Sequence, residues 1–474
     1  MARGRTKAAV DTGPVEGPWE LPKGWRWERL GSLADLLRGV SYNKRQAHEV
    51  ASADTVPLLR GGNIQYGSVV HTDLLYVDRK CVSDDQLLHD KDIILTMSSG
   101  SAALVGKSAW VSKPTGELTF GAFCACLRSH DIDQARWLFW FLQTPFYRQS
   151  ITGSAKGTSI NNLKREHLGG LPIPIPPAIE LPLLVARIDS WSAEIDEGEI
   201  ALADARSGVE TYRKALLKAA VTGELTADWR RANPPQESGE QLLTRLLANR
   251  RADGHIIKKS QAGERIAEDD LPSLPESWIW CRNEQAGKIQ LGRQRTPKDH
   301  SGPHMRPYLR VANVYEDRID LSDVKQMNFT PTEFENFRLQ QGDILLNEGQ
   351  SLELVGRPAM FRGEVDACCF QNTLVRFQAG QYVDPDYALL TFLYAMHSGR
   401  FKRIAKITTN IAHLGAGRFA ELGFPLAPLD EQLEAVRLYH AHMKRFETAI
   451  STLSATSVLR QSILAAAFRG ELAV

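Results

Sequence analysis

The spacing of apolar residues divides the chain into segments with different predicted structures. From about residue 19 to residue 176, apolar and β-branched residues occur in short runs, which Gly, Asn, Asp and Ser separate. Such runs predict short β-strands joined by turns. The clearest of them are Val56–Leu59, Ser68–Val70, Asp92–Leu95 and Ala109–Val111. One apolar stretch, Ala135–Leu142, predicts a helix that ends before Pro145.

The proline-rich run Pro172–Pro177 closes this β-rich segment, because proline suits neither a helix nor a central strand. Apolar residues then recur at alternating steps of three and four, and only Gly198 breaks the series. This heptad pattern predicts a helix roughly 55–60 Å long that packs against one partner helix. Its positions are Leu181, Leu184, Ile188, Trp191, Ile195, Leu202, Ala205, Val209, Tyr212, Leu216 and Ala219.

The whole plan returns later in the chain. Segment Leu21–Trp27 returns as Leu274–Trp280, Leu59–Ile64 as Leu309–Val314, Lys91–Leu95 as Gly342–Leu346, Leu104–Lys107 as Leu354–Arg357, and Leu217–Leu225 as Leu464–Leu472. A period of about 250 residues is too long for a solenoid and predicts two copies of one domain. The expected molecule therefore has pseudo-two-fold symmetry and two different faces.

A second heptad series follows the second copy, and Ser457 and Arg460 interrupt it. Its positions are Val436, Tyr439, Met443, Phe446, Ile450, Leu453, Leu464 and Ala467. If a two-fold axis relates the copies, the two helices pack antiparallel as a coiled coil and hold the β-rich domains at opposite ends. The alternative is that each helix packs on its own domain.

These patterns predict an α+β protein with two mixed, β-rich domains joined by two long antiparallel helices. The predicted segments are a disordered tail (1–18), a first β-rich domain (19–176), a first helical region (177–225), a polar connector with a short helix (226–271), a second β-rich domain (272–427) and a C-terminal helical region (428–474).

Composition narrows the environment and the class of partner. Hydrophobic residues make up 43% of the chain, which supports real cores, and the formal net charge is only +1. This balance argues against gripping a polyanion by bulk charge but allows a local basic cleft or a partner that supplies positive charge. No apolar run reaches the roughly 20 residues that cross a bilayer. The six cysteines have neither zinc nor disulfide spacing, so we expect buried free thiols in a cytoplasmic protein.

Two short segments resemble catalytic motifs without meeting their requirements. Gly100–Ser108 has five residues between its glycines, where a phosphate loop needs four. Asn233–Gln236 ends in Gln, whereas the corresponding motif of amino-methyltransferases needs an aromatic residue to stack on a flipped base. No catalytic triad and no metal cluster stands out, so the sequence predicts a chain without catalysis, metal or cofactor of its own.

The motifs in their order, repeated twice, resemble the specificity subunits of type I restriction-modification systems. The carrying motifs are Leu-Pro-x-x-Trp-x-Trp at the start of each domain, the run Gly153–Leu163 before Leu171–Pro177, and Ala-Ala-x-x-Gly-Glu-Leu at the end of each helix. The similarity covers Trp19 to Val474. The chain departs from the pattern in two places. In the second domain, Ile407–Leu414 stands where the first domain has its Gly-Ser-Ala-Lys-Gly-Thr stretch. After the first proline run comes Ala178–Glu180, whereas the second copy keeps the more usual Leu429–Gln432.

The resemblance implies two target-recognition domains that each read one half of a split DNA sequence, with the helices setting the spacing. It implies a non-catalytic chain that recruits two methyltransferase subunits and two ATP-dependent restriction subunits. S-adenosylmethionine, ATP and Mg are then expected on those partners. Two alternatives remain open: a recognition module of a fused or type II-like methyltransferase or nuclease, and a scaffold repeat protein with no nucleic-acid role.

Candidate DNA contacts are basic and short polar residues in predicted loops, because such side chains bind phosphates and base edges. In the first domain they are Arg38, Tyr42, Lys44, Arg45, Arg60, Asn63, Lys156, Thr158, Ser159, Asn161 and Asn162. In the second domain they are Arg293, Arg295, Lys298, Arg310, Asn313, Asn347, Gln350, Lys406, Thr408, Asn410 and His413. Arg60 and Arg310 recur in both copies, which favours a scaffold or phosphate role over sequence reading.

Overall fold

The computed structural model describes residues 15–152, 161–252, 271–408, 410–452 and 456–472. The chain forms two compact units: the first contains Met1–Leu202 and Leu453–Val474, and the second contains Ala203–Thr452. Each unit therefore combines a β-rich domain with parts of the helical regions.

The first unit has fourteen described strands and a set of helices. The strands are β1 Arg26–Arg29, β2 Ala34–Arg38, β3 Ala47–His48, β4 Thr55–Leu59, β5 Ile64–Gln65, β6 Gly67–Val69, β7 Leu75–Asp78, β8 Ile93–Thr96, β9 Ser98–Ser99, β10 Ser108–Trp110, β11 Thr119–Phe120, β12 Cys124–Ser129, β13 Asn161–Asn162 and β14 Pro172–Ile175. The helices are α1 Leu30–Leu33, α2 Ala135–Phe141, α3 Pro145–Thr152, α4 Arg165–Gly169 and α5 Leu181–Val221, whose last part belongs to the second unit.

The short strands and the α2 helix lie where the apolar pattern predicts them. Strands β2, β12, β8, β10, β6 and β5 form one sheet in that order, and β11, β4, β7 and β3 form another. The aromatic side of α2, with Trp137 and Phe141, is buried against this framework. Among the described strands, β14 pairs with β1 alone, and Pro174 lies opposite Trp27. This edge position tolerates prolines, which cannot donate to a ladder on both sides.

The second unit repeats this content. Its strands are β15 Ile279–Arg282, β16 Gly287–Leu291, β17 Met305–Leu309, β18 Val314–Tyr315, β19 Arg318–Ile319, β20 Lys325–Asn328, β21 Ile344–Asn347, β22 Gly349–Gln350, β23 Pro358–Met360, β24 Cys369–Phe370, β25 Leu374–Ala379, β26 Lys406–Thr408, β27 Ile411–His413 and β28 Gly423–Leu426. Its helices are α6 Ala227–Ala232, α7 Gly239–Ala252, α8 Asn283–Ala286, α9 Pro331–Phe337, α10 Pro385–His397, α11 Arg400–Ile404, α12 Ala416–Glu421 and α13 Leu429–Thr452; the last helix, α14 Thr456–Arg469, belongs to the first unit.

Matching strand pairs confirm the internal repeat. The order β16-β25-β21-β23 matches β2-β12-β8-β10, and β15 pairs with β28 as β1 pairs with β14. The β5–β6 hairpin of the first unit differs in its pairing from its counterpart in the second unit. In the first unit β5 and β6 join the large sheet, whereas β18 and β19 form a separate two-stranded pair.

The polar connector contains more structure than the single predicted helix. Helix α6 comes before the expected short helix, α7. Leu242 and Leu246 of α7 are buried in the core of the second unit. Because α7 contributes to this core, it is part of the second unit. Residues 253–270 lie outside the described ranges.

The first heptad series forms one helix of 41 residues, α5. Leu184, Ile188 and Ile195 are buried as the spacing predicts, but Ala205 is exposed. The second series lies on α13 and α14, except for Leu453, which lies with residues 454 and 455 outside the described ranges.

Helix α14 packs on the first β-rich domain. Phe468 of α14 stacks on Trp137 of α2, with ring centroids 4.1 Å apart. Arg460 of α14 donates to Ser192 and Asp196 of α5 at 2.9 and 2.7 Å. Farther along α14, Leu464 and Phe468 share a cluster with Leu181 and Leu184 at the start of α5. The two helices therefore run antiparallel within this unit, and α14 packs on the first β-rich domain.

The second unit shows the same relation between α5 and α13. Tyr212 Oη lies 2.9 Å from His442 Nδ1, and its ring packs against Phe446. Leu216 and Ala220, later in α5, share the core with Ala435, earlier in α13. Within each unit the paired helices are thus antiparallel, as the repeat predicts.

The repeated Trp and Gly-Glu-Leu motifs meet in these packings. Trp278 Nε1 donates to Glu431 Oε2 at the start of α13 (2.9 Å), and Trp25 Nε1 donates to Glu180 before α5 (3.1 Å). Gly223, after α5, has φ +76° and leaves no room for a Cβ, which would lie 2.7 Å from Pro275. Gly470 has φ +71° and the same relation to Pro22. Each motif set therefore joins the start of one domain to the start of one helix and the end of the other.

Five of the six cysteines are buried and Cys81 is half-buried, and all six are free thiols. Burial raises the pKa of the Cys124 thiol to about 12. A thiol with so high a pKa carries almost no thiolate near neutral pH, so it is not a nucleophile.

Glu316 in the β18–β19 turn links the second domain to α5. Its Oε1 accepts from Arg213 Nη1 at 2.6 Å and lies 2.7 Å from His397 Nε2. Burial raises the pKa of this carboxyl, but the contacts with His397 and Arg213 outweigh burial, so the pKa lies below its ordinary value of 4.5. The first unit has Tyr66 at this position of the hairpin, and its side chain is fully exposed.

We expect Glu316→Gln to lower the free energy of unfolding of the second unit by about 1.5–3 kcal/mol at neutral pH, the range for hydrogen bonds to a charged group. Because the folded pKa is depressed, the wild-type advantage is present above about pH 4.5 and is lost as the pH falls through the folded value. Unfolding in urea, monitored by hydrogen exchange, checks this prediction, with Glu335→Gln at an exposed position as the control. If wild type and variant differed in unfolding free energy by the same amount at neutral pH and at about pH 3.5, the prediction would be contradicted.

Candidate nucleic-acid interface

In the first unit, predicted DNA contacts lie around an open cleft of about 570 Å³. Tyr42 and Arg60, far apart in sequence, both line it. Gly61 and Gly62 form part of its wall, and a Cβ on Gly62 would meet open space. The other lining residues are Val40, Ser41, Thr96, Ser98, Ser99, Leu104, Gly121, Ala122, Phe123 and Cys124.

Arg60 is the cation of this cleft. Its Nη2 donates to the Asp73 carbonyl at 2.8 Å, which fixes the guanidinium without neutralising it. Within the described ranges no carboxylate forms an ion pair with Arg60. The corresponding Arg310 is paired with Asp323 Oδ2 at 2.5 Å. The same position therefore offers a free positive charge in the first unit and a compensated one in the second.

The other basic candidates of the first domain lie beside the cleft. Arg38 ends β2, and Lys44 and Arg45 lie in a 3-10 turn that Asn43 caps. All three side chains are exposed. They extend the positive surface from Tyr42 but do not line the cleft itself.

Asn162 reaches the same region from β13. Strand β13 pairs with β9, and Ser98 Oγ donates to Asn162 Oδ1 at 2.7 Å. Asn161 lies on the same strand. Lys156, Thr158 and Ser159, which the sequence also indicates, lie outside the described residues.

Phe123 is a cleft residue that the sequence did not indicate. Its side chain is 66% exposed, although the neighbouring Cys124 is buried. Its carbonyl accepts from the backbone N–H groups of Met97 and Ser98, so the turn that presents the ring is fixed. The available signal was a difference between the copies: Phe123 corresponds to Thr373, whose hydroxyl accepts from Val311 N.

In the second unit, the most exposed candidates lie on the β26–β27 hairpin. Lys406 and Thr408 of β26 and Asn410 in the turn are exposed, and His413 ends β27. Lys406 has no ion-pair partner in the described part of the chain. Thr409 lies outside the described ranges.

The base of this hairpin is fixed at several points. Arg418 donates to the carbonyls of Ile404 and His413, each at 2.7 Å. Strand β22 pairs with β27, and His413 Nδ1 lies 3.0 Å from Glu348 Oε2. The hairpin is therefore a positioned two-stranded ribbon with an exposed tip.

Three further candidates of the second domain are accessible. Arg295 Nε lies 3.0 Å from His300 Nε2, and Lys298 is exposed in a 3-10 turn. Gln350 is half-buried on β22, next to the ribbon. Arg310, described above, lies on another element, so the structure does not bring all candidates into one patch.

Three asparagines that were predicted to contact DNA are buried and bind the backbone instead. Asn63 Oδ1 accepts from Arg60 N, and its Nδ2 donates to the carbonyls of Val70 and Thr72. Asn313 makes the equivalent bonds in the second unit. Asn347 is fully buried and donates to the Val314 carbonyl. Because these amides are buried and hold the backbone, they have no surface to offer to DNA.

Arg293, another predicted DNA contact, is also bound to groups of its own domain. It donates to Glu333 Oε1 at 2.8 Å and to Asp299 Oδ1 at 3.1 Å, and its guanidinium lies over the Phe329 ring. The Arg293 contact and the Thr296 hydrogen bonds lower the pKa of Asp299 to about 2. The charge of Arg293 is thus compensated by two carboxylates of the same domain.

The described residues include no group of three His, Cys, Asp or Glu side chains arranged to hold a metal ion. Within the same ranges, no helix is both long and apolar enough to cross a bilayer.

Comparisons with known proteins agree with this architecture. A protein-family model, described as the type I restriction modification DNA specificity domain, matches residues 22–199. The EcoKI specificity subunit of Escherichia coli K12 is 28% identical over 459 residues, covering 96% of this chain and 90% of that protein. The StySPI specificity subunit of Salmonella potsdam is 27% identical over 462 residues, with the same coverage. The chain is thus similar, over nearly its whole length, to type I restriction-modification specificity subunits.

Solved structures share the fold of this chain. The HsdS subunit from Thermoanaerobacter tengcongensis superposes with a TM-score of 0.51 at 18% identity, over 96% of this chain and all of that one. A chain from a structure of a type I R-M system gives a TM-score of 0.63 at 17% identity, with the same coverage.

The comparisons favour a DNA-recognition subunit over a fused methyltransferase and over a scaffold without a nucleic-acid role. The curated relatives are specificity subunits, and catalysis lies on their partners, in agreement with the prediction of a non-catalytic chain. Type I specificity subunits work on DNA with methyltransferase and restriction subunits.

Proposed function

We propose that this chain reads the two halves of a split DNA sequence, one with each unit, in a type I restriction-modification complex. The observation that carries the proposal is a shared framework with unlike surfaces. Strand order and the Trp–Glu contacts recur in both units. The exposed groups do not: the first unit presents a cleft with a free Arg60 and the Phe123 ring, and the second presents a ribbon with Lys406 and Thr408.

A net charge of +1 supports dependence on partners for affinity. Phosphate contacts dominate non-specific DNA affinity, so a nearly neutral chain gains little from bulk charge. Two methyltransferase subunits and two ATP-dependent restriction subunits would supply the remaining contacts. S-adenosylmethionine, ATP and Mg would be bound by those subunits, and the present chain would choose the sequence.

The test is to co-express the chain with its methyltransferase and to map modified adenines across a genome. The expected motif has two short specified parts separated by an unspecified gap. Phe123→Ala should relax the first part only, and replacement of the β26–β27 tip should relax the second part only. A continuous motif, or no motif, would overturn the proposal.

The helices give a second prediction, because a rigid spacer fixes separation and phase on a duplex. Removing one heptad from α5, at residues 203–209, together with the matching heptad of α13 shortens the helical pair by about 10 Å. The gap should fall by about three base pairs, at 3.4 Å per pair.

A five-residue deletion is the control. It rotates the apolar stripe by about 140°, so that the helices no longer pair and methylation should be lost. A gap that stays unchanged after the heptad deletion would show that the helices do not set the spacing.

A further inference from the structure

The β26–β27 ribbon exposes apolar side chains at its tip. Ile407 is 61% exposed and Ile411 is 49% exposed. Thr408 pairs with Ile411 and Ile407 pairs with Ala412, so the two isoleucines lie on opposite faces of the ribbon. Ala412, which shares the face of Ile407, is buried, whereas Lys406 and Thr408, which share the face of Ile411, are exposed. The face that carries Lys406, Thr408 and Ile411 is therefore the one open to another molecule.

Unpaired cations beside Ile411 indicate the kind of molecule. Lys406 lies on the same face of the ribbon as Ile411, and Arg403 is exposed before the ribbon. In the described part of the chain, neither forms an ion pair. A cation next to an apolar side chain complements a DNA groove, where base edges lie between two phosphate backbones.

The shape of the element agrees with the major groove. That groove is about 12 Å wide and admits a two-stranded β-ribbon. Its only apolar base-edge group is the C5-methyl of thymine. Cross-strand pairing places Thr408 opposite Ile411, so a hydroxyl and an apolar group are presented together.

We propose that Ile411 reads the C5-methyl group of a thymine in the half-site bound by the second unit. The inference rests on the proposed function and adds one element of the target: an A·T pair in the second half-site. The anchoring by Arg418 and by β22 positions Ile411, while Lys406 and Thr408 on the same face bind neighbouring phosphate or base-edge groups.

The test uses the chain in complex with its methyltransferase, and duplexes that carry the motif found by methylation mapping. Each thymine of the second half-site is replaced, one at a time, by deoxyuridine, which removes only the methyl group. One replacement should weaken binding by the wild-type complex about four-fold, the effect of one buried methyl group. Ile411→Ala should bind the thymine and deoxyuridine duplexes equally, whereas Ile407→Ala, on the opposite face of the ribbon, should keep the preference.

Ile132→Ala is the matched control, because Ile132 is 60% exposed but lies in the first unit. This variant should keep the full preference for thymine. Wild-type complex that ignores every replacement, a second half-site without thymine, or an Ile411→Ala variant that keeps the preference would overturn the inference. The absence of any split motif in the mapping step would instead refute the proposed function.

Discussion

Replacing Glu431 by Ala should lower the free energy of unfolding of the second unit by about 3–5 kcal/mol, the usual cost of removing one partner of a buried ion pair. Glu431 is 1% exposed, and its Oε1 accepts from Thr226 Oγ1 at 2.6 Å and from Arg230 Nη1 at 2.5 Å. Its Oε2 accepts from Trp278 Nε1. The variant leaves a cation, a hydroxyl and an indole N–H without this acceptor, and water has little access to replace it.

Asp430→Ala is the matched control for this variant. Asp430 is the preceding residue on the first turn of α13, and its side chain is exposed. Its loss should cost at most about 1 kcal/mol, through the helix dipole. Unfolding in urea, monitored by hydrogen exchange, measures the stability of each unit separately. If the two variants unfold at the same urea concentration, the Glu431 network does not hold the second unit together.

Much of the framework could be predicted because it depends on the periodicity of apolar residues. Strand β8 is a short apolar run that is buried throughout, and α5 buries a heptad stripe. The repeat also predicted antiparallel pairing of the helices, which the contacts of α14 with α5 show in the first unit.

The interface could be predicted only in part, because residue type does not reveal burial. Asn63 and Asn313 were chosen as base readers, although both recur in the two copies. The same recurrence indicated a scaffold role for Arg60 and Arg310. Applied to the asparagines, it would have identified residues that hold the backbone, since two domains with different targets share framework and not readers.

Exposed apolar residues were not predicted from the sequence for a related reason. Phe and Ile are residue types common in protein cores, so the sequence does not distinguish Phe123 and Ile411 from core residues. Only the structure shows that their side chains are exposed. A search limited to Lys, Arg and polar donors cannot find such residues. Base edges also carry an apolar group, and aromatic rings can pack on bases, so these residues belong among the candidates.

Phe123→Glu should reduce methylation of the split site by the complex at least 100-fold, equivalent to about 2.7 kcal/mol. The exposed ring lines the cleft with Tyr42 and Arg60. A carboxylate there repels phosphate, attracts Arg60 away from DNA and removes the apolar contact. Phe123→Ala removes only the contact and should cost about ten-fold, within the range for one aromatic stacking partner.

Ile132→Glu separates this effect from a general change in charge. Ile132 is 60% exposed, close to the exposure of Phe123, but it does not line the cleft. Its variant should methylate within about two-fold of wild type, since a single distant charge is screened over a Debye length of about 8 Å. The Phe123→Glu defect should shrink as salt rises, because repulsion from phosphates is screened. If both glutamate variants lose activity equally, the cleft is not a DNA surface, and the first unit must read its half-site through other loops.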